Sequence, residues 1–506
     1  MKHFLRLVAP FRYSTRPAYQ NPPLVLLRQP RTPAQLRAMC TGSVKWLMPA
    51  DREATGFHVA YEHGTRKGVY GVTMNTTKAL KEEVVRLALD QLKRRHPPLR
   101  SGLRRRDGTV WFYESDDNDV DFKMVHGGGS LEEEIEKVSG EGVQSANCIS
   151  WVVRLIPRGE DAPCAVPGAR TRFPHQYDVI FTGHHAIADG VGAMMFMFSM
   201  LELINDALNG IAIEGEEEEG GLAFQKDEIW DLEASVKQRL EEDPQRYEFV
   251  KQSLPSPTST PLLLQAFPRP TGVTPSTRHV ARSVDSHVTG NLQKKCKIHG
   301  VTLNSVIAAS LNIALMRLLK KAGMSQQSFT IRSSHAVNLG RYLKRTPPSS
   351  VGGYGLLLSY ASDVDTDAQE SFWQYCKRIH QDLKENLRSG LPLEQKMLPR
   401  MVDPSASPEE EFERGIPVVH DFGVTNVGSF PTLEPGPDDN IFITDVAPYN
   451  ILHQFVHMNL FQVITFRGRC NYTLSYATDF IADETAISFA DELMLVLQEV
   501  SDISNL

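Results

Sequence analysis

Residues 176–210 read QYDVIFTGHHAIADGVGAMMFMFSMLELINDALNG, and the fold is decided there. Residues 177–182 are short, apolar and rich in strand formers, which predicts a buried strand. From 193 to 208 the apolar residues continue with few charges, which predicts a buried helix stopped by Asn209-Gly210. Between them lie His184, His185, Ala186, Ile187, Ala188, Asp189 and Gly190. Two imidazoles at a strand end, then a carboxylate and a glycine opening a helix, suit a general base held on a loop. A neutral imidazole with a reference pKa of about 6.5 can take a proton from a hydroxyl or an amine near pH 7. To do so it must be kept in one tautomer and one orientation. A carboxylate a few residues on can hold the loop, directly or through an arginine from elsewhere. Gly190 offers a tight turn into the helix without a Cβ. The plain alternative is a pair of hydrogen-bonded structural histidines.

HHxxxDG between a strand and a helix resembles the signature of an acyltransferase superfamily. That superfamily includes chloramphenicol acetyltransferase, peptide-synthetase condensation domains, plant BAHD acyltransferases, wax-ester synthases, alcohol acetyltransferases and mycobacterial polyketide-associated acyltransferases. The resemblance implies that His185 is the base, that Asp189 is structural, and that His184 and Gly190 shape the loop. Four further stretches resemble superfamily segments: HPPLRSGL at 96–103, CKIHGVTLNSVIAASLNIALMRLL at 296–319, GGYG at 352–355 and TNVG at 425–428. The last implies that Thr425 or Asn426 contacts the acceptor or the oxyanion. The superfamily often carries VNLR, whose arginine pairs with the motif aspartate. Here the run is VNLGR at 337–341, displaced by one residue, and such a shift in a strand reverses facing. Arg341 and Arg332 are therefore both open as partners of Asp189. Asp421-Phe422-Gly423 echoes half of the BAHD DFGWG element. It is not a kinase DFG, because no Gly-rich loop or HRD accompanies it.

A chain of 506 residues is long enough for two hydrophobic cores, and 41% hydrophobic with 23% charged residues suits a soluble globular protein. A net charge of −7 gives no global attraction for nucleic acid. The longest near-continuous apolar run, 191–204, is too short to span a bilayer. Six cysteines without a CxxC suggest free thiols in a reducing compartment. His453 and His457 have the spacing of a zinc pair, but no third ligand is spaced to join them, so no metal is expected.

Residues 1–50 lack Asp and Glu and carry eight Lys or Arg, with Phe4, Val8 and Phe11 on one helical face. Residues 1–43 therefore read as a basic leader, either a mitochondrial-type targeting segment or a disordered arm. An N-terminal lobe is expected over 44–252, a linker with six prolines over 253–276, and a C-terminal lobe over 277–506. Within the first lobe, 57–61 and 69–74 are expected as strands. A helix is expected over 77–95, with Leu80, Val84, Leu87, Ala88 and Leu92 facing inward. A strand over 150–156 should pair with the motif strand, and 227–251 should be helical with a break at Pro244.

The resemblance implies an α/β fold of two chloramphenicol-acetyltransferase-like lobes. Each lobe holds a mixed sheet with helices, and the active-site channel lies at their interface. The implied function is transfer of an acyl group from an acyl thioester to a hydroxyl or amine, with acyl-CoA as co-substrate and no bound cofactor. The alternatives are a carrier-protein-dependent condensation enzyme forming amides, a non-catalytic ligand-binding relative, and a dihydrolipoyl transacylase type. The expected partners are acyl-CoA and a small alcohol or amine, with no nucleic acid and no transmembrane segment. A monomer in the cytoplasm or mitochondrion is expected.

Overall fold

The computed structural model describes residues 44–502 except 66, 116–119, 128, 141–149, 212–225, 345–354, 416, 431–433 and 453–458. The leader 1–43, the Gly352–Tyr354 stretch, His453, His457, Cys40 and Cys148 lie outside the described residues.

The motif strand, His175–His184, is buried at nine of its ten residues. It sits at the centre of a five-stranded sheet ordered Ile441–Asn450, Lys67–Thr76, His175–His184, Trp151–Arg158, Asp121–Met124. It runs antiparallel to both neighbours, including the Trp151–Arg158 strand the sequence pairs with it. Burial on both faces explains its unbroken apolar run. The helix Gly190–Leu208 packs its Met194, Met197, Leu201 and Ile204 into the core under this sheet.

A second sheet has six strands, ordered Gly355–Asp365, Ser328–Asn338, Phe422–Ser429, Asn459–Phe466, Arg469–Ala477, Thr277–Val284. The central Phe422–Ser429 strand runs parallel to both of its neighbours. Helix Ser286–His299 begins at an Asp285 cap and ends on Gly300 at φ +66°, the left-handed stop glycine favours. Helix Leu303–Lys321 is the one described helix long and apolar enough to cross a membrane, and 78% of that window is buried in the second core. A three-stranded sheet of Val44–Pro49, Thr109–Ser115 and Ser101–Arg106 completes the fold. The two lobes are thus mixed α/β units, each with its own core.

Several expectations are corrected. Residues 57–61 belong to a helix, Arg52–Glu62, not a strand. Asp51 caps it by accepting the Ala54 N–H at 2.7 Å, and a short apolar run fits either structure until such a cap is weighed. The next helix starts at Glu82, not 77, because Thr77 donates its N–H to Asn440 and Leu80 donates to the Tyr177 hydroxyl. That helix buries Val85 and Leu89 and leaves Leu87 51% exposed, so the expected stripe is rotated.

The chain also changes lobes at places its composition does not mark. Helices Lys226–Glu242 and Pro244–Ser253 precede the proline-rich segment, yet Val236, Leu240 and Val250 are in the second core. The proline-rich segment is packed, with a short helix Leu262–Ala266 and a fully buried Leu263. Strand Ile441–Asn450 crosses back to the edge of the first sheet, placing Ile441, Ile443 and Val446 in the first core.

Candidate active site

His184 is the last residue of the motif strand in the ladder. Its N–H donates to the Ser150 carbonyl at 2.6 Å, and its Nδ1 accepts the Ala186 N–H at 3.0 Å. The ring is 1% exposed. Burial, with His58 and His185 close by, holds its pKa well below the usual histidine value. It is therefore neutral, and because Nδ1 accepts, the proton sits on Nε2. These two hydrogen bonds tie the loop to the end of the strand.

His185 follows as the first residue past the strand and is half-buried. Its imidazole lies flat against the Phe57 ring, with centroids 4.9 Å apart and planes 9° from parallel. The same helix, Arg52–Glu62, sets Tyr61 4.4 Å and His58 5.6 Å from the His184 ring. One helix thus covers both imidazoles. All three residues fall in the stretch 57–61 expected as a strand, and none was expected at the site. The signal was there, since Phe57 and Tyr61 at i and i+4 share a helical face, but only once 52–62 is known to be helical.

Asp189 caps the motif helix, with Oδ1 accepting the Gly192 N–H at 2.8 Å. Tyr70 sits beside this cap, where burial and the Asp189 charge push its hydroxyl pKa upward. A Cβ at Gly190 would meet the Tyr70 hydroxyl at 3.5 Å and Val427 Cγ1 at 4.0 Å, both ordinary contacts. Gly190 also lies outside the left-handed region. Space and backbone therefore do not demand glycine there, contrary to the expectation.

Val427 comes from the other lobe. Register in the Phe422–Ser429 strand shifts between Asn426 and Gly428, and Gly428 has φ +100°. This is a β-bulge, a device that redirects a side chain. The bulge sends Val427 into the first core. Asn426 Oδ1 accepts the Gly428 N–H at 2.9 Å, which leaves the Asn426 amide NH2 as the side chain's donor. Thr425 and Asn426 precede Val427 on the same strand and are both half-buried.

Arg332 lies on the strand Ser328–Asn338, and Arg341 just past its end. Arg332 is tied through its main chain to Asp421: its N–H donates to Oδ2 at 3.0 Å, and its carbonyl accepts the Asp421 N–H at 2.7 Å. Arg341 lies in the turn Leu339–Tyr342. Asp421 also accepts the Leu263 N–H, so the DFG-like aspartate fastens the proline-rich segment to the sheet. Burial pushes its pKa up to about 6, against the main-chain N–H bonds that lower it. No three His, Cys, Asp or Glu among the described residues are grouped to hold a metal. The four described cysteines are free. Asn75 and Asn471, which head the sequon-patterned runs Asn-Thr-Thr at 75–77 and Asn-Tyr-Thr at 471–473, are buried.

The helix over the histidines is anchored to the second half of the chain. Lys396 Nζ lies 2.6 Å from Glu53 and 3.1 Å from Glu233, with its side chain 4% exposed. Arg52 pairs with Glu411 at 2.8 Å, and His63 stacks on Phe412 at 4.4 Å.

Two mixed sheets, a strand-end histidine pair and a crossover strand define a two-lobed α/β protein of the chloramphenicol-acetyltransferase type. The chain belongs to the condensation-domain family, whose model matches residues 57–395. No curated protein matches it in sequence. Among solved structures it is similar to a trichothecene 15-O-acetyltransferase from Fusarium sporotrichioides, with TM-score 0.64 at 14% identity over 94% of this chain and 99% of that one. It is also similar to polyketide synthase associated protein 5 from Mycobacterium tuberculosis, with TM-score 0.61 at 15% identity, covering 90% and 100%. The first condensation domain of the calcium-dependent antibiotic synthetase gives TM-score 0.60 at 11% identity, covering 91% and 97%. At these identities the likeness is one of fold. Family membership supports an acyl-transfer or condensation role.

Proposed function

We propose that this protein transfers an acyl group from an acyl thioester to a hydroxyl or amine, with His185 as general base. The observation that carries the proposal is the placement of His185. It stands just past a buried strand, half-exposed, and Val427 of the other lobe's bulged strand lies in the same core as the helix that follows it. His184, fixed and neutral, is not available for this work.

In the proposed reaction the acceptor O–H or N–H gives its proton to His185 as its lone pair attacks the thioester carbonyl. The carbonyl π pair moves to oxygen, forming a tetrahedral oxyanion. Thr425 Oγ1 or the Asn426 amide donates to that oxygen, and one such donor is worth about 3 kcal/mol. The C–S bond then breaks as the oxyanion collapses, and the imidazolium returns the proton to the thiolate. The chemistry as written calls for no bound cofactor.

The proposed donor is acyl-CoA. The family match itself favours a second reading, in which the donor thioester hangs on a carrier protein and the product is an amide. The test is incubation with acetyl-, hexanoyl- and palmitoyl-CoA against pooled alcohols and amines, reading thiol release, with carrier-bound acyl donors in parallel. Release from CoA that depends on an acceptor supports the first reading. Release only from the carrier supports the second, and release from neither overturns both.

A further inference from the structure

We infer that Phe57 is a positioning residue for His185, setting the plane in which the imidazole meets its proton donor; this rests on the general-base reading above. The final ladder pair of the motif strand joins His184 to Lys67. His185 is thus the first residue past the ladder, and one face of its ring is packed. Phe57 supplies that packing. It is 4% exposed, and its ring lies 9° from parallel to the imidazole. A face-to-face contact this flat blocks one π face and resists rotation about the last side-chain torsion, which is otherwise broad. The imidazole nitrogen lone pair lies in the ring plane, so fixing the plane fixes the direction from which a proton can arrive. When the ring becomes imidazolium during turnover, the phenyl face also favours the cation.

Phe57 is itself held. Its helix is capped by Asp51, and Glu53 and Arg52 bond to Lys396 and Glu411 of the other half. The orientation of the base is thereby referred to the same half of the chain that carries Thr425 and Asn426.

The experiment compares Phe57→Leu, Phe57→Met and Phe57→Tyr with the full-length protein and with His185→Ala. Ring geometry is read by NMR of histidine-labelled protein, where the His185 signal is the one lost in His185→Ala. The signal should be displaced upfield by the Phe57 ring current in the parent and in Phe57→Tyr. It should return to the ordinary position in the leucine and methionine variants. With whichever acyl-CoA and acceptor the panel turns over, the leucine and methionine variants should lose about tenfold in kcat with KM unchanged, and tyrosine should restore it. Two variants of different shape guard against one failing to fold. An unshifted His185 signal in the parent, or full kcat in either aliphatic variant, overturns the inference. So does a loss that appears only in KM. If instead His185→Ala turns over at the parent rate, the base assignment falls, whatever Phe57 does.

Discussion

The Asp189 carboxylate accepts the Gly192 main-chain N–H at 2.8 Å, so the acid of the histidine motif is the cap of the helix behind it. It orders the loop by ending it. Asp189→Ala should lower stability by about 1 kcal/mol, while Asp189→Ser, another capping residue, should stay close to the parent. Chemical denaturation measures both. Equal stability of the alanine and parent proteins would show that the cap contributes nothing.

Lys396 is the buried cation between the lobes, with Glu53 and Glu233 at 2.6 and 3.1 Å. Removing one partner of a buried pair leaves charge without its counter-ion. Lys396→Met should cost about 3 kcal/mol, the lower end of the usual range, because both glutamates keep some contact with water. Neutralising the glutamate as well, in Lys396→Met with Glu53→Gln, should recover part of the loss. A single variant as stable as the parent contradicts the anchor.

Acid should destabilise the fold. Burial lowers the pKa of His96 and His335 to about 4, and of His279 and His420 to about 3. An unfolded histidine titrates near 6.5, so below that pH the unfolded chain binds more protons and stability is lost toward the folded values. Asp421 acts in the opposite sense. Its pKa is raised to about 6, so its contribution is full below the unfolded carboxylate value and is lost as pH rises toward 6. Among the described residues eight histidines are held below their ordinary value and five carboxylates above theirs, so the histidines set the net direction. The melting temperature should fall between pH 7 and pH 4, and His279→Asn should flatten the fall. A melting temperature that rises on acidification would contradict this.

Gly428, at φ +100°, makes the bulge that sends Val427 toward the motif helix. Gly428→Ala has open space for its methyl group, so the cost is backbone strain, about 1–2 kcal/mol. A thermal melt measures it, and an unchanged melt would mean the bulge relaxes freely.

The histidine motif was legible because its signals are local. A continuous apolar run, a polar loop and a capped helix follow one another within 35 residues. The covering helix was not, because FHVAY at 57–61 suits a strand or a helix equally. What decides it is the Asp51 cap and the packing of Tyr61 and His58 on a ring more than 120 residues away. The crossover strand was hidden for a similar reason: Ile441 pairs with Thr76, and nothing near residue 441 announces that partner. The proline run between 253 and 276 looked like a linker because proline excludes regular structure. Three leucines at 262–264 and the reach of Asp421 nevertheless fold it onto the sheet.

The most direct measurement is acceptor-dependent thiol release from acyl-CoA by His185→Ala, beside a circular dichroism spectrum to show that it is folded. The expected result is a folded protein whose turnover falls by about 10²–10⁴-fold. A folded His185→Ala that releases thiol at the parent rate would contradict it.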